Sequence, residues 1–153
     1  MSQNQPQNKY VKVIDYFLYL LAKKDYPQKV LIQKAHQKNY PETDIDEGIR
    51  FLLAKNYLNE QRLADNIIEK YPTCGSQFWQ QKMAMAGIEP QIIKQTIQKN
   101  QTDHSLLKKQ LETKFRLTSW QLEPEIKAKI ARFIAARGVS NAFGLLQKWS
   151  QKD

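Results

Sequence analysis

The chain has one cysteine in 153 residues, Cys74. No internal disulfide can therefore staple it, and a reducing cytoplasm is the simplest expectation. Cys74 follows a helix stop at Pro72, a loop position that suggests exposure and access to oxidants. There are two histidines, His36 and His104, isolated from each other and from Cys74. A metal site needs several convergent ligands, and Cys–His catalysis needs contact across distant segments, so neither is expected. Five glycines offer no phosphate-cradling loop, and no cofactor is expected. The longest strongly apolar run, VIDYFLYLLA, is about ten residues and is interrupted by Asp15, whereas a membrane-crossing helix needs roughly 20. The opening MSQNQPQNKY is polar and reads as a frayed tail over residues 1–9 rather than a signal peptide. Asp44, Asp46 and Glu47 form a carboxylate group, yet they fall in or near the first turn of a helix, where the helix dipole alone favours acids. These absences point to a soluble monomer without catalytic residues, metal or membrane contact.

What is present is positive charge, unevenly placed. Lys and Arg number 24 against 15 Asp and Glu, a formal charge of +9. Residues 1–39 carry seven basic and two acidic side chains, residues 40–70 four and seven, and residues 103–140 eight and four. Basic ends thus flank an acidic middle, a segregation that suits an anionic partner. The densest basic group is Lys127, Lys129 and Arg132, expected near the solvent side of one helix, with Arg137 at that helix's C-terminus. Lys108, Lys109, Lys114 and Arg116 lie shortly before it.

Helical periodicity runs through almost the whole chain, and no segment reads as a strand. A first helix carries Tyr10, Val13, Ile14, Phe17, Leu18 and Leu21 on one face. Pro27 then suits the first turn of a second helix, which buries Val30, Leu31 and Ala35. A third begins near Glu42 with Ile45, Ile49, Leu52 and Leu53 inward. In the fourth, Asn59 caps the first turn, Glu60 complements the dipole, and Leu63, Ala64, Ile67, Ile68 and Tyr71 form the stripe. The fifth covers about 76–86 with Trp79 and Met83 inward, and the sixth follows Pro90 with Ile92, Ile93 and Ile97. The seventh, about 105–115, offers Leu107, Leu111 and Phe115. The connection RLTSWQLEP follows, its Trp120 expected to pack between units. The eighth, about 124–137, presents Ile126, Ile130, Phe133 and Ile134, and the ninth, from Asn141, presents Ala142, Phe143, Leu146 and Trp149.

A repeat lies within this series. Tyr40 follows a helix stop and precedes Ile45 and Ile49; Ile88 does the same before Ile93 and Ile97, at the same +5 and +9 offsets. From Val139 the same offsets fall on Gly144 and Lys148. The segmentation is an all-α chain of three tandem three-helix, helix-turn-helix-like units, 10–56, 57–100 and 101–153, each too small to be stable alone. Phe78 and Trp79 are adjacent, so one narrow stripe cannot bury both, and packing at a unit interface is favoured over partner contact. Tyr16 and Tyr19 lie off the first helix's stripe and raise the same two alternatives. Exposed aromatics among lysines would stack on bases.

Three segments resemble the RecX family of bacterial recombination regulators. YLNEQRLADNII is similar to the family's Y-L-[DN]-[DE]-x-R-[FY]-A, with Tyr57, Leu58, Arg62 and Ala64 matching and Leu63 at the aromatic position. GSQFWQQKMAMAGI keeps the family's spacing from Gly75 to Gly87 and Ile88. KIARFIAARG resembles K-[IL]-x-R-F-L-x-x-R-G through Lys129, Ile130, Arg132, Phe133, Arg137 and Gly138. The resemblance covers about residues 10–150. It implies an elongated, curved row of three-helix units that lies along the groove of the RecA–DNA filament and restrains filament growth, ATP hydrolysis and strand exchange. Where the family has an arginine-containing run and a glutamate, this chain has Gln77-Phe78 and Lys82, which moves the expected contact to the outer units. Two other readings of the residues are a helical module binding single- or double-stranded DNA without RecA, and a scaffold whose acidic middle holds a basic protein.

Overall fold

The computed structural model describes residues 12–151, and among them the chain forms nine α-helices and no strand. They are α1 Val13–Lys23, α2 Gln28–Gln37, α3 Glu42–Ala54, α4 Glu60–Lys70, α5 Ser76–Ala86, α6 Pro90–Lys99, α7 His104–Lys114, α8 Pro124–Ala136 and α9 Ala142–Gln151. Tyr10 and the expected tail over 1–9 lie outside the described residues.

Helix starts follow the local chemistry. The Asn59 side chain accepts a hydrogen bond from the Arg62 amide at 2.9 Å, as its place before an apolar stripe predicts. Asp103 does the same for Leu106 at 3.0 Å. Pro90 and Pro124 open α6 and α8, where the first turn has no use for an amide donor. Pro27 stands one place earlier than expected, at the cap position just outside α2.

Helix stops explain the sequence repeat. At the ends of α2, α5 and α8 a residue turns into the left-handed region: Asn39 at φ 64°, Gly87 at 89° and Gly138 at 75°. The amide of the next residue then reaches back five positions. Tyr40 donates to the Ala35 carbonyl at 3.2 Å, Ile88 to Met83 at 3.1 Å and Val139 to Ile134 at 3.4 Å. This return closes the helix end and turns an apolar side chain inward, and Tyr40, Ile88 and Val139 are all buried. After Tyr40 and Ile88 the following helix begins two positions on, at Glu42 and Pro90; after Val139 it begins three positions on, at Ala142. The inserted residue is Asn141, itself at φ 58°. The +5 and +9 offsets accordingly become +6 and +10, which land on half-buried Leu145 and buried Trp149.

Three apolar cores result, in chain order. Phe17, Leu31, Ile45 and Leu52 centre the first. Ala64, Trp79, Met83 and Ile93 centre the second. Leu107, Leu111, Ile130, Ile134 and Leu146 centre the third. The closest helix pairs, α1 and α2 with α3, α4 with α5 and α6, and α8 with α9, each stay within one of these groups.

Several side chains sit elsewhere than periodicity places them. Leu53 is 50% exposed, because one residue beyond Leu52 carries it about 100° round the helix. Ile126 and Phe143, each in the first turn of its helix, are exposed. Tyr16 is buried and stacks on Tyr40 with centroids 5.8 Å apart, while Tyr19 is exposed and takes a hydrogen bond from Lys23. Trp79 is buried with its indole N–H donating to the Tyr71 carbonyl at 2.8 Å, and Phe78 packs edge-on against the Tyr71 ring at 4.9 Å. Packing thus absorbs both adjacent aromatics. Trp120 packs inside the third core rather than between units, 4.8 Å from Trp149, and donates to Glu112 at 2.8 Å.

Candidate functional site

The basic residues of the third core divide between two environments. Lys129 and Arg132 are exposed and three positions apart, so they share the outer side of α8. Lys109 is exposed on α7, and Arg116, also exposed, occupies the left-handed position just past the end of that helix at φ 53°. Lys127 does not join the outer group. It is half-buried, three, four and seven positions before Ile130, Ala131 and Ile134, and so shares the stripe facing the core. Lys108 is likewise half-buried. Lys114 lies over the Phe133 ring at 5.1 Å. Arg137 closes α8 as expected, but it is half-buried and turned toward the second core, where it donates to the Thr73 hydroxyl at 3.0 Å.

The motif residues build turns and joints. Tyr57 follows Asn56, at φ 59°, and its amide returns to Leu52 at 2.9 Å; Leu58 packs on the first core. Arg62 reaches back to the first core and grips Asp25 with two hydrogen bonds of 2.6 Å. That bond holds the Asp25 carboxyl below the usual range and raises Arg62 in turn. Beside it, Glu60 does more than complement the dipole of its own helix. One carboxylate oxygen accepts from the Gln28 amide at 2.7 Å and the other from the Glu89 amide at 2.8 Å. Two free amides at the starts of α2 and α6 are thereby satisfied by one side chain. Gly87 adds to this first joint, its Cα facing Val30 and Pro27, while Ala64 and Ile88 lie in the second core.

The second joint is made by backbone. The Gly75 amide donates to the Arg137 carbonyl and the Asp103 amide to the Pro72 carbonyl, each at 2.8 Å. The Thr102 hydroxyl donates to the Cys74 carbonyl at 2.9 Å. Gly75 and Gly138 meet so closely that a Cβ on Gly75 would stand 2.1 Å from the Gly138 oxygen, and one on Gly138 would stand 2.5 Å from the Phe78 nitrogen. No larger residue fits either position without separating the segments. Cys74 is buried in this joint, contrary to the exposure its loop position suggested. Burial pushes its thiol up, and nearby Arg137 offsets part of that rise.

Asp25, Thr73 and Thr102 carry no motif signal, and their partners stand 37, 64 and 28 positions away. Among the described residues no three His, Cys, Asp or Glu side chains converge, and no helix is long and apolar enough to cross a membrane. His36 instead meets Glu42 at 2.6 Å.

Known proteins share this sequence over most of its length. It is 30% identical over 130 residues to the regulatory protein RecX of Actinobacillus pleuropneumoniae serotype 5b (strain L20), covering 84% of this chain and 85% of the relative. The chain belongs to the RecX family. The RecX proteins of Haemophilus ducreyi (strain 35000HP / ATCC 700724), 30% identical over 84% of this chain and 85% of theirs, and Haemophilus influenzae (strain PittEE), 25% identical over 81% and 84%, are similar to it as well. A crystal structure of regulatory protein RecX superposes with a TM-score of 0.70 at 15% identity, covering 89% of this chain and 71% of that one, so the RecX fold is shared. No family model matches. As a RecX-family member the chain is a regulatory protein; its motif residues Arg62, Gly75, Gly87, Arg137 and Gly138 fall at joints between cores, and Arg132 lies exposed on α8.

Proposed function

We propose that this chain binds the filament formed by the RecA recombinase and restrains its extension, ATP hydrolysis and strand exchange. It acts as a cytoplasmic monomer that binds rather than catalyses. The reading is carried by the relationship to RecX regulatory proteins over most of both lengths, together with the regulatory role toward RecA that the resemblance implies. On this reading the three repeats, 10–56, 57–100 and 101–153, form an elongated, curved row that follows a filament groove. Three cores in chain order, tied by joints rather than merged, support that arrangement. The exposed cations Lys109, Arg116, Lys129 and Arg132 are the outer contact surface.

The test adds purified chain to RecA on single-stranded DNA and follows ATP hydrolysis. The rate falls as the chain is titrated in; an unchanged rate at several-fold molar excess rejects the reading. Replacing Lys129→Glu and Arg132→Glu together weakens filament binding while the helical circular dichroism signal stays native. Unaltered affinity in that variant removes this face from the contact. Oligonucleotide binding without any effect on RecA would favour a stand-alone nucleic-acid module instead.

A further inference from the structure

Between the second and third cores lies a cleft of about 340 Å³ whose wall includes Lys70, Tyr71, Gln110, Lys114, Phe133 and Arg137, and no carboxylate. Its cations are gathered on two aromatic rings. The Lys114 ammonium stands 5.1 Å and the Arg137 guanidinium carbon 4.5 Å from the Phe133 centroid. Lys70 lies 5.6 Å from the Tyr71 centroid, and Lys82 reaches the same ring from α5 at 5.5 Å. Ring faces attract each cation, but they hold like charges close together and supply no negative charge. None of the four pairs with a carboxylate among the described residues. Arg137 spends one N–H on Thr73, and its Nε is buried with no hydrogen-bond partner.

We propose that this cleft is a binding site for a phosphate group, held between Lys70, Lys114 and Arg137. An anion there relieves repulsion that the protein leaves uncompensated between the exposed Lys70 and Lys114 and the half-buried Arg137. Phosphate suits the cluster because it offers several acceptor oxygens to a guanidinium fork and two ammonium groups at once. The rings already carry cations on their faces, so bases are not read there, and recognition is of the phosphate alone. This goes beyond filament binding and does not require RecA. Two sources share the chemistry, a backbone phosphate of single-stranded nucleic acid and a free polyphosphate.

The experiment uses the full chain without RecA and two probes: a fluorescent oligothymidylate followed by anisotropy across a salt series, and inorganic tripolyphosphate followed by calorimetry. Lys70→Gln with Lys114→Gln is compared with Lys109→Gln with Lys129→Gln, an equal charge change on the outer face. Loss of two phosphate contacts lowers the slope of log affinity against log salt by about 1.4 for a single strand. The cleft pair is expected to show that drop, with about tenfold weaker binding at ~0.1 M salt, and Lys114→Arg to retain wild-type binding. Tripolyphosphate binding with the same sensitivity and no oligothymidylate binding would assign the site to a free phosphate compound. Equal losses in the two pairs would mean diffuse charge rather than a site, and failure of both probes to bind at low salt would likewise overturn the proposal. RecA inhibition that persists in the cleft pair leaves the filament reading standing, so the two can fail separately.

Discussion

The two joints between cores solve one problem by different means. The first is held by side chains: Arg62 on Asp25, and Glu60 on the amides of Gln28 and Glu89. The second is held by main chain, with Gly75 against Gly138 and amide–carbonyl bonds running both ways across it. A side-chain joint depends on charge and tolerates small movements. A backbone joint depends on shape and does not. The first is therefore open to pH and salt, the second chiefly to added volume.

That contrast can be broken where it should be strongest. Gly75→Ala places a methyl 2.1 Å from backbone oxygen and is expected to cost about 3 kcal/mol or more, seen as an earlier urea midpoint. A melt within error of wild type would mean that the joint is slack. Glu60→Ala removes an acceptor from two helix starts at about 1 kcal/mol each, so about 2 kcal/mol is expected; Glu60→Gln, with one acceptor oxygen left, should lie between. Equal losses for the two substitutions would contradict the double cap. Thr73→Val keeps shape and removes the acceptor of Arg137, for about 1 kcal/mol in the same unfolding assay; a stabilised variant would show that the hydrogen bond is not formed in solution.

The smallest effect is one of pH. Asp25 is depressed in the folded chain by its hydrogen bond to Arg62, so it binds fewer protons folded than unfolded. Its contribution is present above the ordinary carboxylate range, about pH 4, and is lost as pH falls through the lowered folded value. Amide protection, taken relative to the intrinsic exchange rate at each pH, should fall near α2 and α4 in acid before it falls near Gly75. In Asp25→Asn this difference should disappear.

Much of the helical layout was legible because it is local. Asn59 announces a cap, Pro72 a stop, and Tyr40 and Ile88 a return after a left-handed residue, all within a few positions of what they control. The stripes of α1, α3 and α8 could be read, but not where each stripe stops, round the helix for Leu53 and along it for Ile126 and Phe143. The third unit's offsets failed because one residue at φ 58° shifts the last helix, a backbone choice that side-chain pattern does not encode. Cys74 and Arg137 were misread for another reason. Each sits in a turn or at a helix end, where exposure is the ordinary expectation, and a neighbouring unit covers them. Conversely, Lys70 meets Lys114 and Arg137 in one cleft only because the second joint brings the ends of α4 and α8 together. The motif segments marked the joints without revealing that they were joints.

Glu60 gives the first two cores a property that neither would have alone. Its two oxygens cap the starts of α2 in the first core and α6 in its own, so opening either side leaves the same anion short of a donor. The first two cores are then expected to melt as a coupled pair rather than one after another. A chain divided at residue 59 should yield a leading fragment markedly less stable than its own apolar interior would suggest.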